Sequence, residues 1–494
     1  GRASMYANTS GHYNTALGYD SLAANSTANN NTAVGYQSLY ANTTGSLNVA
    51  VGARTLDANT TGSENVALGN NALSANTTAG ANTALGDSAM FYTTTGANNV
   101  AIGQGSMYIN TTGTHNVAIG NASLGLNTTA SYNTALGYKS LYANTTGNYN
   151  VAVGGFALDA NTSANSNTAV GYSSLTANTT GTDNTALGRD ALLSNTTSSN
   201  NTALGASALR LNTTGTLNTA VGTGSLASST TASYNTAVGN NALNANTSGT
   251  QNTAIGARAL DVNTSGSYNI AAGSDALGAN TTGAANTVFG VYALNSNTTA
   301  SNNTAVGYLS LAANTTGALN SALGTGSLTA NTTGANNVAM GYNALAANTT
   351  ATYNTGIGFR AGQSVTTGTQ NTLIGGLAGD ALTVAFYNTA VGYAALSNDL
   401  KGYGNTAIGY QALTSQQFGG ATTSYNTAVG YSAGGAVVSG TQNTFIGGLS
   451  GDANTTASNN TALGYSSLGA NTTGSLNVAT GGYALSNNTT ASYN

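Results

Sequence analysis

The chain contains no cysteine and no proline among its 494 residues. Without cysteine, no disulfide can hold the fold together, and redox chemistry gives no indication of the compartment. Proline lacks a backbone donor, so its absence suits a structure in which nearly every backbone group pairs with a neighbouring segment. The composition therefore favours a fold held by backbone hydrogen-bond ladders.

Charge is also scarce, because Asp, Glu, Lys and Arg make up 4% of the residues and the net charge is −4. An average soluble protein has about 25% charged residues. So sparse a charge supplies no basic patch for nucleic acid and no cationic face for an anionic membrane. No run approaches the roughly eighteen apolar residues that a membrane-spanning helix needs. We expect neither nucleic acid binding nor membrane insertion in this segment.

What the chain does contain is one seventeen-residue unit, repeated in phase, of which Asn31-Thr-Ala-Val-Gly-Tyr-Gln-Ser-Leu-Tyr-Ala-Asn-Thr-Thr-Gly-Ser-Leu47 is a representative copy. Twenty-eight complete units run from Asn14, and one of them, residues 405–425, has 21 residues. A unit of this size cannot bury a core alone, so a strict period is typical of stacked solenoids. We predict that residues 1–494 form one continuous repeat array and are a fragment of a longer chain.

The first part of each unit, numbered from its opening Asn, has the pattern of a short strand. Position 5 is Gly in every unit, including Gly35 and Gly52, which predicts a positive φ or a backbone neighbour too close for a β-carbon. Position 2 is mostly Thr or Val, position 3 is nearly always Ala, and position 4 is mostly Val, Leu or Ile. Because side chains alternate across a strand, we expect positions 2 and 4 to face the core and Ala to face a second packed surface.

The second part of each unit centres on position 9, which is Leu in twenty-two units, including Leu39 and Leu56. The residues around this second core side chain fit either another short strand or a single helical turn. The Asn-Thr-Thr-Gly that follows predicts a turn. Stacked coils would place Asn31 above Asn48 in an asparagine ladder. The strict register argues against a disordered chain and predicts an all-β solenoid, or β-roll, whose handedness the sequence leaves open.

Four units depart from this pattern in pairs. Gly replaces the core Leu of position 9, a larger residue replaces the Ala of position 3 in one unit of each pair, and apolar residues replace three turn residues. The residues that replace Leu are Gly362, Gly379, Gly434 and Gly451. The residues that replace Ala are Leu373 and Phe445, and the apolar residues in the turns are Val365, Leu382 and Val437. A close-packed interior requires such compensation. We expect the larger residues at position 3 to replace the volume of the missing Leu from the second face of the strand. The extra residues around 416–420 predict one protruding loop.

The segments Asn99-Val-Ala-Ile-Gly103 and Asn116-Val-Ala-Ile-Gly120 carry a resemblance. With the other Asn-Thr-Ala-Val-Gly copies, they resemble the head repeats of YadA-like trimeric autotransporter adhesins, which form a left-handed β-roll wound in threes. The chain also looks like repeat shafts of tail-fibre proteins that carry a self-cleaving chaperone. The resemblance covers essentially the whole chain, although the unit is longer than is usual in those heads. It implies an extracellular or cell-surface fibre or adhesin shaft, with a phage-type tail fibre that binds surface glycans as the alternative.

A parallel homotrimer, or a filament of such copies, is the expected assembly. Apolar burial in one small coil offsets only part of the conformational entropy that is lost when the coil becomes ordered. A second buried surface is therefore needed. We expect the Ala column of position 3 to line the shared axis, with Leu373 and Phe445 widening it locally.

Catalytic and metal chemistry have little support in the sequence. Asp57, Asp159 and Asp261 share position 10 but lie six coils apart, and His12 and His115 show no metal-ligand spacing. We predict no catalytic residue, no metal and no cofactor. A polysaccharide-cleaving solenoid and an ice-binding protein are the less favoured alternatives, the latter because position 2 varies between Thr and Val.

Two repeated features are candidate recognition or modification sites. Tyr recurs at position 6 and just before the opening Asn, where it either covers the core edge or contacts sugars. Asn-x-Ser/Thr recurs at position 12, either as a turn motif or as a glycan acceptor. The candidate attachment residues are Asn8, Asn25, Asn42, Asn59, Asn76, Asn110, Asn127 and Asn144.

Overall fold

The computed structural model describes every residue, Gly1–Asn494, and divides into two compact units, Gly1–Ser248 and Gly249–Asn494. Both units consist of stacked coils, which have seventeen residues apart from the 21-residue coil 405–425, and each complete coil has a three-residue strand followed by turns. The predicted class is confirmed, because each unit is an all-β parallel solenoid. The alternative of a helical turn is wrong, since the structure contains no helix, and thus no helix able to cross a bilayer.

The three-residue strands occupy positions 2–4 of successive coils, and two further strands, of two residues each, lie late in their coils. In the first unit they are β1 Thr15–Leu17, β2 Thr32–Val34, β3 Val49–Val51, β4 Val66–Leu68, β5 Thr83–Leu85, β6 Val100–Ile102, β7 Val117–Ile119, β8 Thr134–Leu136, β9 Val151–Val153, β10 Thr168–Val170, β11 Thr185–Leu187, β12 Thr202–Leu204, β13 Thr219–Val221 and β14 Thr236–Val238. In the second unit they are β15 Thr253–Ile255, β16 Ile270–Ala272, β17 Thr287–Phe289, β18 Thr304–Val306, β19 Ser321–Leu323, β20 Val338–Met340, β21 Thr355–Ile357, β22 Thr372–Ile374, β23 Thr389–Val391, β24 Gly402–Tyr403, β25 Thr406–Ile408, β26 Thr422–Thr423, β27 Thr427–Val429, β28 Thr444–Ile446, β29 Thr461–Leu463 and β30 Val478–Thr480.

Neighbouring coils pair in parallel and without any shift of register. In the first unit Thr32 lies beside Val49, Ala33 beside Ala50, and Val34 beside Val51. In the second unit the ladder passes from β23 to β25 and then to β27, while β24 and β26 form a separate short pair. Each position of the repeat therefore forms a column, with steps of about 4.8 Å.

The side of the strand that faces the interior is the opposite of the one predicted. Ala33 and Ala50, at position 3, are completely buried, as is Leu39 at position 9. Positions 2 and 4 point outward, so that Leu68 is 50% exposed and Val66 is 39% exposed. The Leu of position 9 crosses the narrow interior from the turn segment, and this leaves room for only a methyl group on the strand.

The invariant Gly of position 5 has both of the predicted causes. Its φ lies between 116° and 146° along the chain, a region that L-residues rarely adopt. In addition, a β-carbon built on Gly171 would lie 2.6 Å from the carbonyl carbon and oxygen of Gly188 in the next coil. Gly35 and Gly52 are held in the same way, against the carbonyls of Gly52 and Gly69.

The segment after the strand is a series of turns with an unusual backbone. Positions 7, 9 and 17 have positive φ, as in Gln37 (53°), Leu39 (51°) and Leu47 (61°). A left-handed non-Gly residue costs roughly 1–2 kcal/mol. The series fits neither a helix nor a strand, so the alternative of a second short strand around position 9 is wrong as well. Backbone bonds to adjacent coils continue through it, since the Leu39 N–H donates to the Thr55 carbonyl at 3.0 Å.

Two asparagine ladders run through each unit, as predicted for position 1. The Asn48 backbone N–H donates to Asn31 Oδ1 at 3.0 Å, and Asn48 Nδ2 donates to the Gly62 carbonyl at 2.9 Å. The position-12 asparagines form a second, equally buried ladder, in which Asn59 Nδ2 donates to Asn42 Oδ1 at 2.8 Å. Other residues interrupt this second ladder at Thr93 and Ser229, and again in the consecutive coils from Val365 to Val437. Polar columns thus occupy much of the interior and are bonded along the stack.

The predicted compensation of volume is confirmed, but it comes from within the same core. β-Carbons on Gly362 and Gly379 point at the side chain of Leu373, and those on Gly434 and Gly451 point at Phe445. Leu373 and Phe445 are themselves 0% exposed. The Ala column and these two residues therefore line the chain's own interior, and the prediction that they line an axis shared between chains is wrong.

The 21-residue coil is only partly the protruding loop that was predicted. Gln416 is completely buried and Phe418 is 6% exposed, whereas Gly419 and Gly420 have no neighbour within 4 Å of a β-carbon position. Gln416 Nε2 donates to Asp399 Oδ2 at 2.8 Å, so the first half of the insertion is anchored to the preceding coil.

Candidate functional site

The strand face, defined as the outward side chains of positions 2 and 4, is an apolar feature of the surface that repeats in every complete coil. It exists because the strand alternates, with Ala directed inward and its two neighbours directed outward. Leu187, Leu204, Ile255 and Leu323, all at position 4, are 41–48% exposed. Rows of single exposed apolar residues are ordinary, but a continuous apolar column marks an interaction surface.

The strand face is neutral in charge and uneven in height. Consecutive strands are in register, so positions 2 and 4 form two columns about 6.6 Å apart, with about 4.8 Å between coils. Neither column contains a charged residue in any coil. Position 4 ranges from Ala272 to its direct neighbour Phe289, so the height of the face changes from coil to coil.

Rows of aromatic rings flank the strand in the sequence, at positions 6 and 17. In one row Tyr410 stacks on Tyr393 at 5.7 Å and on Tyr431 at 5.3 Å between ring centroids. In another row, Tyr132 stacks on Tyr149 at 5.4 Å and on His115 at 5.0 Å. Rings inside such a row cover one another's faces, so they lack the free face that stacking on a sugar ring requires.

The titratable side chains are not gathered into a site. No group of three or more His, Asp or Glu side chains lies close enough to hold a metal ion. Burial raises the pKa of Asp159, Asp261, Asp380 and Asp452, all at position 10 in separate coils. Burial also raises the pKa of Asp399, although its carboxylate accepts bonds from Gln416 Nε2 and the Gly402 N–H. These shifts reflect partial burial in separate coils rather than an arrangement for proton transfer.

The candidate glycan-acceptor residues lie mostly in the second asparagine ladder. Asn8 is exposed, while the other seven are completely buried: Asn25, Asn42, Asn59, Asn76, Asn110, Asn127 and Asn144. Asn42 Nδ2 donates to Asn25 Oδ1 at 3.2 Å and to the Gly45 carbonyl at 2.9 Å. Both hydrogens of that amide are used, so the folded coil leaves no room for a sugar on the nitrogen.

The hydroxyl groups beside these asparagines differ in accessibility. At position 13, Thr43 Oγ1 donates to the Thr60 carbonyl of the next coil at 3.0 Å. At position 14, Thr44 and Thr61 are exposed. Position 14 therefore forms an outer hydroxyl row, which we call the threonine row.

Sequence reasoning missed the strand face because it assigned the larger apolar residues to the core. One signal could have found it. Leu373 replaces Ala in the two-coil region where Gly362 and Gly379 replace Leu, and such an exchange implies that positions 3 and 9 share one interior.

Comparison of the chain with protein-family models and with curated proteins found no match.

Proposed function

We propose that this protein is a structural shaft, a fibre or adhesin stalk exposed outside the cell, whose work is length, stiffness and surface presentation. The resemblance to trimeric adhesin heads supports this role and also supports a parallel homotrimer. The observation that carries the proposal is the unbroken stacking within each unit, where every coil adds about 4.8 Å to the length.

The ladders explain how such a shaft resists bending. Bending a stack of coils stretches one side of it. The backbone and asparagine hydrogen bonds between coils on the stretched side would then lengthen. Each ladder bond contributes about 0.5–1.5 kcal/mol net, and Asn recurs at position 1 in every complete coil and at position 12 in most of them. A regular one-dimensional array therefore behaves as a sum of neighbour contacts rather than as a set of flexible beads.

Electron microscopy of the purified chain, with deletions of whole coils, tests the proposal. Removing six coils, residues 116–217, should shorten the particle by about 29 Å and leave its width unchanged, because His115 would then precede Asn218 in phase. A deletion of residues 116–209 is the matched control, since it breaks the period and should disrupt the stack. Round particles, or a length that ignores the in-phase deletion, would refute the shaft.

Decoration with glycans is part of this proposal, and the threonine row is the surface that could carry it. Its hydroxyls point away from the buried ladder, and sugars there would keep an almost uncharged fibre in solution. Mass spectrometry of native material should find additions on peptides that contain Thr44 or Thr61. Peptides without any addition would leave the Asn-Thr-Thr turns a purely structural role.

A further inference from the structure

We propose that the strand face is the surface through which copies of this chain associate, so that positions 2 and 4 of facing copies pack against each other. The inference rests on the proposed shaft function, and it places the contact on a different surface from the Ala column that the sequence suggested. Ala33 and its equivalents are completely buried inside each chain, whereas the position-4 side chains keep access to solvent: Val34 is partly exposed, and Leu323 is 48% exposed.

The first argument is the extent of the exposed apolar surface. Fourteen three-residue strands in one unit form a strip about 10 Å wide and about 65 Å long, or about 650 Å². A stable interface needs roughly 800 Å² of accessible surface on each partner, and accessible area exceeds the flat footprint because side chains project from it. One unit alone thus approaches the required area, and the other unit presents an equal strip.

The second argument concerns the chemistry of the occupant. Backbone donors and acceptors of the strands are used within the sheet, so an incoming partner meets only methyl groups, larger apolar side chains and Thr hydroxyls. The absence of charge at positions 2 and 4 means that identical strips do not repel each other. Nucleic acid and anionic membranes would require a basic face instead.

The third argument concerns spacing. A partner must present apolar groups every 4.8 Å or so along a straight line if it is to interdigitate with this face. A second copy of the chain has that period by construction. Ice is a weaker match, because a crystal plane is level, whereas Ala272 and Phe289 stand side by side on this face.

Analytical ultracentrifugation of the full chain at several concentrations tests the proposal. The wild-type chain should sediment as a multiple of the 48.3 kDa monomer. Lysine substitutions at three adjacent positions of the face, Leu187→Lys, Leu204→Lys and Val221→Lys, should weaken association at least tenfold. Their control is the same number of lysines on the same coils in the threonine row, Thr197→Lys, Thr214→Lys and Thr231→Lys. Lys401 occupies that row naturally, so this control should associate as the wild type does.

Circular dichroism and urea unfolding of both variants show whether they remain folded. If the face-lysine variant unfolds, replacement of the same three residues by Thr, which strands accept readily, gives the second test and should also weaken association.

Two single-cysteine variants in the same coil give an independent measurement, because the wild-type chain has no thiol. Ala272→Cys, on the strand face, should form disulfide-linked dimers between copies under mild oxidation, while Thr282→Cys should not. A wild-type chain that stays monomeric at all concentrations overturns the proposal, even if it adsorbs to ice or polysaccharide. Association unaffected by the face lysines overturns it equally. Rod-shaped monomers in the coil-deletion series would preserve the shaft function while removing this inference.

Discussion

Restoring one missing rung of the second asparagine ladder should stabilise the protein. Thr93 stands at position 12, where the neighbouring coils have Asn, and its Oγ1 is buried without a partner. Asn76 Oδ1, in the preceding coil, is also unpaired. The Gly96 carbonyl accepts a bond from Asn82 Nδ2 at 2.9 Å, but the second bond that its equivalents receive from position 12 is missing.

The expected magnitude follows from the bonds that Thr93→Asn would create. The new amide can donate to Asn76 Oδ1 and to the Gly96 carbonyl, and its own oxygen can accept from Asn110 Nδ2. At about 0.5–1.5 kcal/mol net for each bond, and with two buried orphans removed, we expect a local gain of about 2 kcal/mol. Because an array responds mainly near the changed coil, the gain should be largest in the adjoining coils.

Hydrogen exchange followed by mass spectrometry measures this local gain. Peptides that cover residues 76–110 should exchange about 30-fold more slowly, the factor that corresponds to about 2 kcal/mol. Thr95→Asn, on the threonine row of the same coil, is the control and should leave exchange unchanged. Thr93→Val should help less, because it removes the unpaired hydroxyl but leaves the Asn76 oxygen without a donor. Unchanged or faster exchange in Thr93→Asn would show that the ladder does not stabilise the stack as argued.

Three further predictions concern backbone contact, core volume and pH. Gly171→Val should lower stability by about 1–3 kcal/mol or more through overpacking and strain, whereas Gly155→Ala should have little effect on thermal unfolding, since its β-carbon would lie 3.6 Å from the nearest neighbour. Phe445→Ala should cost about 3–5 kcal/mol by leaving a cavity, against about 0.5 kcal/mol or less for the exposed Phe359→Ala; equal urea midpoints for the two variants would contradict the packing. Burial raises the pKa of Asp399, so the folded state binds its proton more tightly than the unfolded state, and the stability that this proton confers is present at acidic pH and lost as pH rises through the raised pKa. The difference in urea midpoint between wild type and Asp399→Asn should therefore change with pH in that window, and a constant difference would exclude the linkage.

The repeat made part of the fold predictable. The period alone fixed the parallel register, and the invariant Gly35 column could be assigned to tight backbone contact, because no other residue type tolerates that combination of φ and proximity. The asparagine ladder at Asn31 followed from the same stacking. These features depend on one position at a time, and a column of identical residues reports them directly.

The orientation of the strand could not be obtained in that way. A strand of three residues has one inward side chain, and general hydrophobicity favours Val34 over Ala33 for that place. The choice depends on Leu39, which reaches across from the turn segment and fills the interior, and a left-handed Leu is not anticipated by any propensity scale. The burial of Asn42 was missed for a related reason, since an Asn-Thr-Thr-Gly turn resembles a surface turn until partners in adjacent coils are included.

The asparagine ladder of position 1 also gives each stack a direction. Each backbone N–H of an opening Asn donates to the side-chain oxygen of the preceding Asn, as in Asn31 to Asn14 and Asn65 to Asn48. A coil that has already folded therefore presents a fixed acceptor, and the following coil brings the donor. During synthesis the earlier coil is complete before the later one leaves the ribosome, so the chain can fold as a zipper that closes from the N-terminal side, one coil at a time. We therefore expect the coils to form in the order of translation, which would spare a long array the search among equivalent repeats that it would face if it folded all at once.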